Sequence, residues 1–170
     1  MIYNIINVCA GEYSNSDAYE STIHYVYSKN YYGGYGFPVF ATAEEIIKYF
    51  YYAQETSKHI ADRSVWHFNV SIAGLKNHTT YLLLANAIAS LFADNYQILY
   101  SLDLEPGRYH LHFVVNNYSY HPDTTLLTPE RFYQYHLLIE NIIRTLYPDN
   151  IIINEWKKEY IKCLKHTMIS

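Results

Sequence analysis

Two histidines one residue apart, His110 and His112, stand in the run YSLDLEPGRYHLHFVVNNYSY (100–120), and the arm entering the turn before them carries Asp103 and Glu105. Imidazoles beside a carboxylate suit a divalent ion such as Mn²⁺, Ni²⁺ or Zn²⁺, or Mg²⁺ where phosphate oxygens complete the shell. If Pro106 and Gly107 are the central pair of a β-turn, a type II turn fits, because proline presets the first position and glycine accepts positive φ at the second. Counting back from that turn sets Leu104 opposite Tyr109, Asp103 opposite His110 and Ser101 opposite His112. Opposed residues share a face, with Cβ atoms roughly 4.5 to 5.5 Å apart. Asp103, His110, His112 and Asn116 therefore point one way, while Leu102, Leu104, Leu111, Phe113 and Val115 form an apolar layer on the other side. Two histidines on an exposed strand are also compatible with simple solvation. The opposed carboxylate turns the pattern into a candidate metal site with His110, His112 and Asp103 as ligands.

The elements that must position this hairpin can be read along the chain. Residues 2–8 (IYNIINV) form a short β-branched strand, and 17–28 (DAYESTIHYVYS) fit a helix or a strand about equally. The run NYYGGYGFP reads as a flexible loop, with three glycines and a proline. Thr42 followed by Glu45 is a capping-box pattern, so a helix starts near residue 43. Val65–Ile72 alternates as a strand, and residues 80–93 suit a largely buried helix. Strands over 96–105 and 108–120 follow, and then a helix capped by Thr128 and Pro129 that ends near YPDN. A last strand over 150–154 and a C-terminal helix over 155–166 complete the reading. Hairpin strands separated by helices point to an α+β class with a mainly antiparallel sheet.

The totals limit what such a chain does. With 170 residues, half of them hydrophobic, one domain over 1–170 is expected. A net charge of −4 argues against holding duplex DNA by bulk electrostatics, since that affinity needs Lys and Arg to neutralise phosphates. Cys9 and Cys163 have neither metal-type spacing nor disulfide density, which fits a reducing compartment. The opening MIYNIINVCAGEY lacks a basic leader, and its apolar run is too short for a membrane span, so a cytoplasmic protein with no membrane partner is expected. Tyrosine supplies 21 of 170 residues, so no single tyrosine stands out by its presence alone.

The stretch NYQILYSLDLEPGRYHLHFVVNNYSY resembles the third motif of conjugative relaxases, the plasmid-mobilisation nucleases of the HUH endonuclease superfamily. In that motif a strand ending in a histidine precedes H-x-H, an apolar triplet and Asn, and here HLHFVVN spans 110–116. WHFNVSIAG (66–74), the helix from Thr80 and IHYVYSK (23–29) fall in the family's order, so the resemblance covers roughly 17–120 and is sharpest at the H-x-H core. It implies a ferredoxin-like or palm-like antiparallel sheet flanked by helices, with the histidines on central strands. It also implies a reaction: a tyrosine attacks the scissile phosphate of single-stranded origin-of-transfer DNA and forms a 5′-phosphotyrosyl link. A divalent ion, Mn²⁺ or Mg²⁺ by preference and otherwise Ni²⁺ or Zn²⁺, polarises the phosphate. An accessory DNA-binding protein is an expected partner.

Carried over residue by residue, His110 and His112 match the H-x-H pair. The family's third ligand is usually a histidine on the preceding strand, where this chain has Asp103; the departure favours a harder ion or marks lost catalysis. Tyr25 is the best match for the nucleophile, with Tyr27 as the alternative and Tyr31 or Tyr32 more distant. Asn116 is expected to contact DNA or support the site, and Arg108, Lys29 and Lys76 to contact phosphates. The aromatics of NYYGGYGF suit stacking on unpaired bases, as well as a plain tyrosine-rich loop. Two further readings stay open: a degenerate relaxase-like domain that binds DNA or a partner without cutting, and a replication-initiation nuclease of the same superfamily. The latter places its tyrosine after the histidines, at Tyr133, Tyr135 or Tyr147.

Overall fold

A computed structural model describes residues 3–6, 15–72, 77–106, 108–148 and 151–154. Among them the chain runs β1 (Tyr3–Ile6), α1 (Ala18–Tyr27), β2 (Tyr31–Tyr35), α2 (Ala43–Thr56), β3 (Val65–Ile72), α3 (His78–Ser90), β4 (Tyr96–Glu105), β5 (Arg108–Ser119), α4 (Pro129–Leu146) and β6 (Ile151–Asn154). The strands form one sheet in the order β2-β4-β5-β3-β1-β6. Neighbours are antiparallel except β1 and β6, which run parallel at one edge. The α+β class and the mainly antiparallel sheet are as the sequence suggested. β5, which carries both histidines, sits inside the sheet between β4 and β3.

Local chemistry accounts for most of the boundaries. At α2 the expected capping box is present: Glu45 N donates to Thr42 Oγ1 at 3.3 Å and Thr42 N donates to Glu45 Oε2 at 2.7 Å. At α4, Arg131 N donates to Thr128 Oγ1 at 3.4 Å, with Pro129 in the first turn. Helix α3 starts two residues before the predicted Thr80, because Asn77 Oδ1 caps it by accepting from Thr79 N at 2.9 Å. The ambiguous segment before β2 is a helix. Ala18, Tyr19, Thr22, Ile23 and Val26 recur on one buried stripe, which only a 3.6-residue period collects.

The expected flexible loop at NYYGGYGFP is a correction: residues 31–35 form strand β2, paired with β4. Its glycines answer to crowding. A Cβ at Gly33 would lie 2.5 Å from the Tyr100 hydroxyl oxygen, and one at Gly34 would run into the Ile98 carbonyl and the Phe37 ring. Gly36, at φ 87°, takes the left-handed turn that ends the strand. The helix expected over 155–166, Lys76, Gly107, Cys9 and Cys163 lie outside the described residues.

Helices cover both faces of the sheet. α3 and α4 pack Tyr81, Leu84, Ile88, Phe132, Ile139 and Ile143 onto Phe68, Leu102, Leu111 and Phe113. On the other face α1 and α2 bring Tyr19, Ile23, Val26, Ile46 and Phe50 against Val65, Leu99 and Val114. That apolar cover stops at Val114. Farther along the same face the strands present polar side chains, and the candidate site lies there.

Candidate active site

The hairpin register is the one counted from the turn: Asp103 pairs with His110, Ser101 with His112 and Leu104 with Tyr109. On its other side β5 sets His110 opposite Ser71, His112 opposite Asn69 and Val114 opposite His67. Because alternate residues share a face, His67, Asn69, Ser71, Ser101, Asp103, His110 and His112 form one polar field across three strands. His67 was not singled out from the sequence. Its signal is present in VWHFNVSI, where 67, 69 and 71 alternate with apolar 66, 68 and 70.

Helix α1 brings the nucleophile candidate onto this field. Ile23 and Val26 are buried against the sheet, which leaves Tyr25 on the helix flank, 45% exposed. Its ring lies 5.3 Å from that of His112 and 5.8 Å from that of His67, both edge to face. Lys29 follows one turn later, its backbone N–H held by the Val26 carbonyl. The Lys29 ammonium sits 4.4 Å from the Tyr25 ring centre and 2.7 Å from Asp103 Oδ2. Tyr25, His112, Asp103 and Lys29, expected from sequence, are thus brought together.

The electrostatics sort these groups. Burial pushes His67 down to about 4. His112 is also pushed down to about 4, first by burial and then by His67 and Lys29, with Asp103 opposing. Both imidazoles are neutral at pH 7 and keep a lone pair, the form that binds metals and takes up protons. The 3.8 Å between His112 Nε2 and Asp103 Oδ2 is accordingly no ion pair and is too long for a hydrogen bond. Lys29 is pushed up, mainly by its hydrogen bond to Asp103 and also by Tyr25, so the ammonium stays charged.

The donor set suits a divalent ion in kind. His112 Nδ1 is buried with no hydrogen-bond partner among the described residues, and His110 Nδ1 is bonded to Ser71 Oγ, which orients that ring as an outer-shell contact does. Ring centres are 5.9 Å apart for His67 and His112 and 6.2 Å for His110 and His112. Imidazoles sharing one ion through bonds of about 2.1 Å bring their centres to roughly 5 to 6 Å, so modest rotations would suffice. Among the described residues no three His, Cys, Asp or Glu side chains are already gathered on one point.

Other expected residues are placed differently. Tyr27 faces Tyr32, ring centres 4.3 Å apart and hydroxyls 3.0 Å apart. Tyr31 lies over His78 at the start of α3, on the opposite face. Asn116 does not offer itself to DNA, since it is 0% exposed. Its amide donates to the Phe50 carbonyl at 3.1 Å and to Gln97 Oε1 at 2.7 Å, while its Oδ1 accepts from Tyr19 Oη at 3.2 Å and Tyr118 N at 3.1 Å. Asn116 ties α1, α2, β4 and β5 together. Lys29, expected at a phosphate, is already paired with Asp103. Arg108 opens β5 opposite Glu105. Tyr133, Tyr135 and Tyr147 pack with the α3/α4 cluster, across the sheet from His112, where Tyr135 stacks on Phe92 at 4.3 Å.

No family model, curated protein or solved structure matches this chain. Among the described residues no helix is long and apolar enough to cross a membrane.

Proposed function

We propose that the chain is a relaxase-type domain of the HUH class that nicks and transfers single-stranded origin DNA through a 5′-phosphotyrosyl intermediate. The observation that carries this reading is the meeting of Tyr25 with His112, 5.3 Å between ring centres, by a helix and a strand that are distant in sequence. Tyr25 is the nucleophile: half exposed, it can reach a phosphate laid along the polar field. His110 and His112 hold a divalent ion, Mn²⁺ or Mg²⁺ by preference, together with either Asp103 or the neighbouring His67. When bound, that ion supplies Lewis-acid stabilisation of the phosphate oxygens. The neutral imidazoles present lone pairs, Ser71 fixes the His110 ring, and α1 packing holds the Tyr25 backbone beside them. The replication-type alternative is disfavoured because its candidate tyrosines pack on the other face.

A binding domain that does not cut is the second reading. It is favoured by one observation: the Asp103 carboxylate is engaged by Lys29. The deciding experiment incubates the full chain and Mn²⁺ with single-stranded oligonucleotides tiled from the genetic element that encodes it. A covalent adduct is expected on a denaturing gel, lost in Tyr25→Phe and kept in Tyr135→Phe. No adduct from the wild type would leave the binding reading; loss only in Tyr135→Phe would move the nucleophile to α4.

A further inference from the structure

Asp103 and Lys29 form the short ion pair of the polar field. Lys29 Nζ is 2.7 Å from Asp103 Oδ2, and the side chains keep only 18% and 11% of their exposure. Both groups are anchored through their backbones. Asp103 is fixed in β4 opposite His110, and Lys29 is held by its backbone bond to Val26. The third member is Tyr25, whose ring lies 4.4 Å from the ammonium. A divalent ion drawing on Asp103 would sit within a few ångström of that ammonium. It would have to share that one carboxylate with the ammonium, and two cations crowded on a single largely buried anion repel each other. His67 offers a third imidazole on the same face, its ring 5.9 Å from that of His112.

We infer that Asp103 is a positioning residue for Lys29 rather than a metal ligand, and that Lys29 is the fixed positive charge beside the Tyr25 nucleophile. This rests on the proposed phosphotyrosyl chemistry. In that step the Tyr25 hydroxyl gives its proton to water, an Oη–P bond forms, the P–O3′ bond breaks, and the 3′ oxygen takes a proton from water. Negative charge passes from the phenolic oxygen to the phosphoryl oxygens along this path. A preorganised ammonium at that place stabilises it without reorganising.

The test uses the full chain and two readouts: Mn²⁺ affinity without DNA, by titration followed with electron paramagnetic resonance, and the single-turnover rate of adduct formation. Asp103→Asn is expected to hold Mn²⁺ within about twofold of wild type and to slow the adduct roughly 10- to 100-fold. Lys29→Met is expected to slow it equally, the double variant no further, and Lys29→Arg to recover most of the rate. A loss of Mn²⁺ affinity of about tenfold or more in Asp103→Asn makes Asp103 a ligand and overturns the inference. So do losses that multiply in the double variant. If a melting curve shows that Asp103→Asn is unfolded, Asp103→Ser serves the same comparison. A wild type that neither binds Mn²⁺ nor forms an adduct removes the underlying relaxase reading, an outcome distinct from failure of the Asp103 variants alone.

Discussion

The two faces of the sheet are built to opposite ends. On the α3/α4 side Phe68 stacks on Phe113 at 4.6 Å and Trp66 on Phe132 at 4.1 Å, and the Trp66 indole donates to Asn117 Oδ1 and to the Leu127 carbonyl. That is packing for stability. On the α1/α2 side the apolar cover ends at Val114, and past it the buried Asn69 Oδ1, Ser101 Oγ and His112 Nδ1 have no hydrogen-bond partner among the described residues. Each such atom costs about 1 to 3 kcal/mol. Aromatic packing closes the α3/α4 face, whereas the α1/α2 face has an apolar core only as far as Val114 and buried polar atoms beyond it. The same strand serves both, since His112 and Phe113 are neighbours.

Those neighbours give the largest expected contrast. Phe113→Ala should cost about 3 to 5 kcal/mol in urea unfolding, the range for emptying a fully buried aromatic position. His112→Leu should change stability by less than about 1 kcal/mol, because it removes an unpaired buried nitrogen as well as an imidazole. Equal losses from the two would break the comparison.

A smaller effect sharpens where the polar face changes character. Asn116→Ala should cost about 2 to 3 kcal/mol, since Tyr19 Oη, Gln97 Oε1, the Phe50 carbonyl and Tyr118 N–H all lose a partner. Affinity for a single-stranded oligonucleotide, measured by fluorescence anisotropy under folding conditions, should not change. A large fall in affinity with unchanged stability would return Asn116 to the DNA surface.

The smallest expected effect is the acid response of the polar face. His67 has its folded value near 4, below the usual 6.5, so the unfolded chain binds the proton more readily. Its contribution is therefore complete above about pH 6.5 and is lost as the pH falls toward 4. In EDTA, wild type should lose about 1 to 2 kcal/mol more than His67→Gln between about pH 7 and pH 4.5, read as the difference in urea midpoints. Parallel curves would mean that His67 is not held neutral in the folded protein.

Much of the architecture was legible because its causes are local. The Thr42 and Thr128 caps, the alternation in β3 and the turn at Pro106 act over a few residues. The hairpin register follows from that turn, so the alignment of Asp103 with His110 can be counted along the sequence alone. β2 was not legible, because glycine's usual meaning is flexibility, and only the Tyr100 side chain and the Ile98 carbonyl on the neighbouring strand show that Gly33 and Gly34 make room. Asn116 misled for a related reason. Alternation places it on the polar face, but nothing in the sequence near it reveals that α1 and α2 cover that end.

By itself the chain's sequence specified the class, most elements and the face shared by Asp103, His110 and His112. These depend on periods of two and 3.6 residues, on caps and on one turn, all short-range and additive. The addition of His67 depends on the pairing of β3 with β5, and the approach of Tyr25 to His112 and the capture of Asp103 by Lys29 depend on where α1 lies across the sheet. That position is set by Ile23 and Val26 packing against Leu99 and Val114. Residues this far apart in the chain meet only when the core between them closes.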